Sequence, residues 1–277
     1  MNPHWKLWTA QTAAILRLEL KKTLFSRRGW WLYLLFAGPP LLTFAHSLVV
    51  MSRGRWSCSL GEDGMIYATI FQFFYLRLAI FFGCLGIFSN LFRGEVLEKT
   101  LHLYLLAPVR REVLLAGKYL AGLITAILMF GASAALAWFG IFLHFGPAFQ
   151  EFLWRGPGLS HLGWYLAVMA LACVGYGAVF TAAGVVFRNP MFAAAVVMVW
   201  EGINGYLPEM LQKFSVIFYL KSLVPVQAPL RGPLALIAVI ADPVPAWLAI
   251  PGLLVVSLLV LLYAASKVRE LEVSYSE

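Results

Sequence analysis

The chain has 277 residues, of which 61% are hydrophobic and 12% charged, with a formal net charge of +8. A soluble domain usually carries about 25% charged residues, so this one has too little polar surface to cover a water-soluble globule. Apolar runs suited to a hydrocarbon layer of ~30 Å alternate with basic clusters, so the positive charge orients the chain in a bilayer rather than marking a nucleic-acid partner. The three cysteines, Cys58, Cys84 and Cys173, are odd in number, with two inside apolar runs, which argues against a disulfide framework or a metal cluster.

Residues 4–28 form a basic amphipathic segment. Trp5, Trp8, Ile15, Leu16, Leu20 and Leu24 recur at roughly helical spacing, and Lys6, Arg17, Lys21, Lys22, Arg27 and Arg28 fill much of the remainder. This pattern predicts a helix lying on the membrane surface with its tryptophans at headgroup level. The first apolar run starts near Trp30, is too long for a cleavable signal and reads as an uncleaved anchor. Six crossings are expected: Trp31–Val50, with Pro39 and Pro40 kinking it, then Ile70–Phe92, Tyr119–Phe142, Tyr165–Phe187, Met191–Tyr206 and Trp247–Ala265. With the N-terminus inside, the inner segments carry 14 of the 21 basic residues and the outer segments 6, with Arg77 inside the second crossing. That bias places both termini in the cytoplasm. The 207–246 stretch holds two apolar pieces, Phe214–Leu220 and Leu234–Ala241, too short to span and surrounded by prolines, so it is expected to be re-entrant. The fold class is therefore an all-α integral membrane protein, a single transmembrane domain over 1–277.

The segment 93–118, between the second and third crossings, mixes charge with apolar residues and breaks at Pro108. Glu95, Glu98 and Lys99 end the helix leaving the second crossing, and Arg110, Arg111 and Glu112 begin another. Composition alone reads this as a solvated turn obeying the positive-inside rule. Its order of residues is more informative: Glu98, Thr100-Leu101, Leu105-Leu106-Ala107-Pro108-Val109, Arg110-Arg111 and Gly117-Lys118. This pattern resembles the permease subunits of type-2 ABC exporters, as do the basic surface helix, the six-crossing layout and the broken segment before the last crossing. One departure is Lys99, where many relatives have glycine. The resemblance implies that 93–118 is a cytoplasmic coupling loop docked in a groove of a separate ATPase subunit, with Glu95, Glu98, Thr100, Leu101, Pro108, Arg110, Arg111 and Lys118 in the coupling. It further implies that 4–28 braces that subunit.

A phosphate-cradling loop needs G-x-x-x-x-G-K-[ST]. Gly94 followed by Lys99-Thr100 lacks the second glycine and the spacing, so no cofactor is expected in this chain, and ATP and Mg are left to the partner ATPase. No H-E-x-x-H or G-x-S-x-G motif occurs. His46 stands alone in the first crossing and reads as a packed or capped residue rather than a ligand. The aromatic run Tyr67, Phe71, Phe73, Phe74, Tyr75 reads as an interfacial belt. Small residues of the fourth crossing, Gly175, Gly177, Ala178, Thr181, Ala182 and Gly184, permit close helix packing.

Two ionisable residues fall within crossings. Glu201 lies roughly 15 Å deep at 1.5 Å per residue, and Arg77 roughly 22 Å from the inner end of its helix. An unpaired charge there costs at least ~2.5–3.5 kcal/mol. Both are therefore expected to face a translocation pathway or dimer seam, where they could pair; snorkelling to the outer headgroups is the equal alternative for Arg77. Gly202, Asn204, Gly205 and Pro208 should break the fifth crossing soon after Glu201.

The reading is the permease subunit of an ATP-driven exporter, not itself an enzyme, multi-pass in the cell (inner or plasma) membrane. Its expected partners are ABC ATPase subunits, a second or related permease and membrane lipid, with no nucleic acid. A stand-alone secondary transporter or channel is the alternative and would need no docking loop. An intramembrane enzyme would need a converging His, Glu, Asp or Ser constellation that the motifs do not supply. The outer loops are too small for a substrate-binding domain.

Overall fold

The computed structural model describes residues 3–24, 30–53, 59–97, 100, 106, 109–212, 215–228 and 244–270. The described residues are helical apart from short turns. Helix α1 (Pro3–Leu24) precedes α2 (Trp30–Arg53). Next come α3 (Leu60–Thr69), a π-helical segment (Ile70–Ala79) and α4 (Ile80–Leu97), which run on without a break. The long α5 (Arg111–Phe142) ends in a 3-10 turn (Leu143–Phe145) and is followed by the short α6 (Pro147–Trp154). Then come α7 (Gly158–Val186), α8 (Pro190–Ile203), a 3-10 turn (Asn204–Tyr206), α9 (Glu209–Gln212), α10 (Val216–Leu223) and α11 (Ala246–Arg269).

Five of these helical stretches are long and apolar enough to cross a bilayer: Trp30–Ser52, Leu60–Glu95, Arg111–Phe145, Gly158–Val186 and Ala246–Arg269. They match the expected first, second, third, fourth and sixth crossings, although the second begins well before Ile70. Its start is fixed by a capping box, in which the Ser59 hydroxyl accepts from the Glu62 amide while the Glu62 carboxylate accepts from the Ser59 amide. The expected fifth crossing is the 14-residue α8. At 1.5 Å per residue it is about 21 Å long, short of the ~30 Å hydrocarbon thickness.

Helix α2 continues through Pro39 and Pro40. Proline has no N–H, so the carbonyls one turn earlier, those of Leu35 and Phe36, lose their helical donors. Ser133 of α5 supplies one replacement by donating its hydroxyl hydrogen to the Phe36 carbonyl at 2.5 Å. Tyr75 then stands 2.7 Å from Ser133 Oγ, and with the serine hydrogen already committed the tyrosine is the donor. The double proline is thus accommodated against protein rather than lipid, the condition under which broken backbone bonding survives at membrane depth.

The aromatic run is not a belt. Tyr67, Phe71, Tyr75 and Ala79 recur every four residues and are 0–1% exposed. A four-residue interval falls on one helical face, and that face packs into the bundle. Tyr165 of α7 meets Tyr67 edge-on at 4.9 Å and Phe71 at 4.7 Å. Within the run only Phe73 points outward, with 43% of its surface exposed.

Close packing around α4 depends on missing side chains. A Cβ on Gly122 of α5 would lie 2.8 Å from the Phe88 ring, and one on Gly177 of α7 would lie 2.6 Å from it. Phe88, itself fully buried, is therefore wedged between two glycines on two helices. Gly184 brings α7 against the Ser89 backbone, and Gly175 brings it against Val216 and Leu253. The glycines expected to permit close packing in the fourth crossing do so.

Candidate functional site

The residues around the 93–118 segment converge on its base. Lys118, about two turns into α5, is fully buried with its ammonium held by two carboxylates. Nζ lies 2.7 Å from Glu95 Oε1 at the end of α4 and is also hydrogen-bonded to Glu19 of α1. Lys22, half-exposed on α1, reaches the same Glu95 oxygen at 3.5 Å. The Phe92 ring closes over Lys118 at 5.7 Å. Two cations and two anions balance, which is what allows charge to be buried here; removing one partner from such a cluster is far costlier than replacing the whole of it.

Helix α1 can reach Lys118 because residue 117 is glycine. A Cβ there would sit 2.9 Å from Ile15 Cγ2. The N-terminal helix therefore lies directly on the start of α5, with Ile15 and Glu19 buried and Leu7 and Leu18 outward. Glu19 was not singled out from the sequence. One signal was present: it is the only acidic residue in the basic 4–28 segment.

Arg110 and Arg111 act at the same level. The Arg110 guanidinium lies 4.6 Å from the Trp8 ring centroid, a second tie between α1 and α5. Arg111 donates to the carbonyls of Val268 and Arg269, at 3.1 and 2.5 Å, and so caps the end of α11. Arg269 returns a bond from Nε to Glu112 at 2.6 Å. Trp8, Thr12 and Leu16 of α1, Val113 of α5 and the Arg110 and Arg269 side chains line a largely apolar groove beside these ties. Thr100 donates its amide to the Glu95 carbonyl at 2.9 Å and ends α4. Leu106 is 80% exposed. Glu98, Leu101 and Pro108 lie outside the described residues.

Glu201 and Arg77 are not brought together as an ion pair. Glu201 turns its buried carboxylate to the N-terminus of α10, where it accepts the Ser215 hydroxyl and the amides of Val216 at 3.0 Å and Ile217 at 3.4 Å. The free amides of a helix start favour an anion there. The turn between α8 and α10 is closed by Asn204 donating to the Gln212 carbonyl at 3.2 Å and Gln212 donating to the Leu207 carbonyl at 2.8 Å. The first apolar piece of the 207–246 stretch is thus a short buried helix folded back on α7; the second piece lies outside the described residues. Arg77 is half-buried, 5.4 Å from the Phe73 ring. His46, expected to stand alone, instead meets Asp63 and His144 across three elements.

Five membrane-length helices, a short sixth apolar helix and a basic N-terminal helix bonded to the base of one inter-helix segment define a multi-pass helical membrane protein. The model of the ABC-2 family transporter proteins matches residues 15–203. The chain belongs to that family and is the membrane component of an ABC transporter. Comparison with curated proteins returns no match.

Proposed function

We propose that the chain is the permease subunit of an ATP-driven exporter, crossing the cell membrane six times with both termini in the cytoplasm. It works as a pair of permeases, two copies or this chain with a related one, and ATP and Mg2+ are bound by separate ATPase subunits. In this reading 93–118 is the coupling loop. Glu98, Thr100, Leu101 and Pro108 shape the part that docks, and the groove beside Trp8, Arg110 and Arg269 receives the ATPase surface. Glu95 and Lys118 serve from inside, by holding the loop's two flanking helices to α1.

One observation carries the reading: a single buried ammonium bonds α1, α4 and α5 at the base of the loop. A push on the loop is then delivered to three helices as one block, and through Arg111 to α11. This rigidity is what a coupling element requires and what a solvated turn does not. Glu201, anchoring α10 inside the membrane, and Arg77 are placed in this proposal along the translocation pathway or the dimer seam.

Co-expression with its ATPase subunit and gentle solubilisation tests the proposal. The ATPase should co-purify, and Pro108→Ala and Arg111→Ala should uncouple ATP turnover from transport. A chain that never carries an ATPase, together with loop variants that function normally, would sink the exporter reading in favour of a stand-alone transporter.

A further inference from the structure

At the end of the bundle opposite Glu95 and Lys118, three side chains from three elements meet. His46 comes from the last third of α2, Asp63 from the first turn of α3 and His144 from the 3-10 turn after α5. One donor atom from each lies within 4.8 Å of the others. Asp63 Oδ2 is 3.3 Å from His144 Nε2 and 3.5 Å from His46 Nε2. The Asp63 and His144 side chains are fully enclosed, while His46 is 32% exposed.

The hydrogen-bond pattern behind His144 fixes its tautomer. Ser47 gives its one hydroxyl hydrogen to backbone, at 2.6 Å to the Gly140 carbonyl with Ile141 further away at 3.2 Å. Towards His144 Nδ1, 3.1 Å away, Ser47 is therefore the acceptor, and Nδ1 carries the proton. The neutral ring then aims the Nε2 lone pair at a buried carboxylate oxygen. Two lone pairs facing each other there repel unless a cation stands between them.

The donor spacing identifies a suitable cation. Zn2+ bonds imidazole nitrogen at about 2.0–2.1 Å and carboxylate oxygen at about 2.0–2.2 Å, so neighbouring corners of its tetrahedron lie roughly 3.3–3.5 Å apart. Both edges that share Asp63 have that length. Two imidazoles disfavour Mg2+ and Ca2+, which take oxygen ligands, and suit Zn2+ and its first-row neighbours. A hydroxyl held by backbone carbonyls and bonded to the ligand's other nitrogen is the outer-shell support such histidines use.

We propose that His46, Asp63 and His144 bind a transition-metal dication of the Zn2+ type, clasping α2 to α3 and to the turn after α5 at the end of the bundle away from Glu95 and Lys118. The competing occupant is a proton, which would make His144 an imidazolium paired with Asp63.

The test uses the full chain purified without a polyhistidine tag, stripped with chelator and titrated with Co2+. Tetrahedral d–d absorption should appear at one equivalent per chain and bleach on adding Zn2+. Asp63→Asn and His144→Ala should abolish it, and Ser47→Ala, which keeps every ligand, should weaken affinity roughly 10–100-fold. His46→Cys should retain binding and add a thiolate-to-Co2+ charge-transfer band, a signature that a merely structural contact cannot produce. If the Asp63 and His144 variants do not fold, Ser47→Ala and His46→Cys decide the matter. A monodisperse wild-type chain that takes up no Co2+ holds a proton there and overturns the proposal. So does absorption that survives Asp63→Asn and His144→Ala, or a His46→Cys chain that binds Co2+ without the charge-transfer band.

Discussion

Lys118 Nζ lies 2.7 Å from Glu95 Oε1, and both side chains are closed off from solvent where α1 crosses the start of α5. Because Glu19 shares the same ammonium, removing the ammonium leaves two buried carboxylates with only the half-exposed Lys22, 3.5 Å from Glu95, to balance them. Lys118→Met is expected to destabilise the chain by about 3–5 kcal/mol. Thermal unfolding in detergent should show a larger loss for this variant than for Glu19→Gln, and adding Glu19→Gln and Glu95→Gln to Lys118→Met should recover much of it. Equal losses for Lys118→Met alone and for the triple variant would show that the charge cluster does not hold α1 in place.

The second prediction concerns the double proline. Ser133→Ala removes the hydroxyl that satisfies the Phe36 carbonyl, a cost of about 1–3 kcal/mol for a buried orphaned group. Pro40→Ala restores a backbone N–H one turn after Phe36. In the Pro40→Ala background, Ser133→Ala should therefore cost distinctly less. A double-mutant cycle on unfolding midpoints checks this, and simple additivity would disprove the compensation.

Phe88 between Gly122 and Gly177 gives a third expectation. Gly177→Ala places a methyl where the Phe88 ring sits 2.6 Å away and should cost about 1–3 kcal/mol. Phe88→Leu, which shortens the wedge, should relieve part of that cost when combined with Gly177→Ala. Destabilisation of the double variant equal to the sum of the singles would mean that the helices move apart instead of clashing.

Glu201 offers a functional test. Glu201→Gln keeps one acceptor for the amides of α10 but replaces the other oxygen with a donor, opposite N–H groups that also donate. The start of α10 should loosen, read as faster alkylation of a cysteine introduced at Val216, while ATPase co-purification is unchanged and transport falls. Full transport activity in this variant would remove Glu201 from the pathway or seam.

How much of this was legible beforehand follows from the range of each interaction. Hydropathy along 31–50 or 119–142 reflects the neighbours of each residue in the chain, and those crossings are where the sequence puts them. The loop pattern from Glu98 to Lys118 is likewise local, and the family match over 15–203 agrees with it. The early start of the second crossing also has a local signal, Ser59 three residues before Glu62, that hydropathy alone passes over.

The remaining features depend on partners far apart in sequence. Glu19 and Lys118 meet across 99 positions, and Ser133 answers Phe36 across 97. Tyr67, Phe71 and Tyr75 look like a belt until Tyr165, Ala134 and Ser133 cover their face, because aromatic composition does not record which face of a helix is covered.

By itself, the sequence determined that this chain is an integral membrane protein of helices with a basic N-terminal segment, since apolar length and charge placement act residue by residue against a bilayer, and its loop pattern carries a resemblance to the ABC-2 permeases. Only the tertiary structure decided that Glu95 and Lys118 are buried partners of Glu19, that Glu201 caps a returning helix instead of pairing with Arg77, and that His46 has company. Each of those outcomes is set by which helices pack together, and glycines such as Gly117, Gly122 and Gly177 fix that packing by what they leave out.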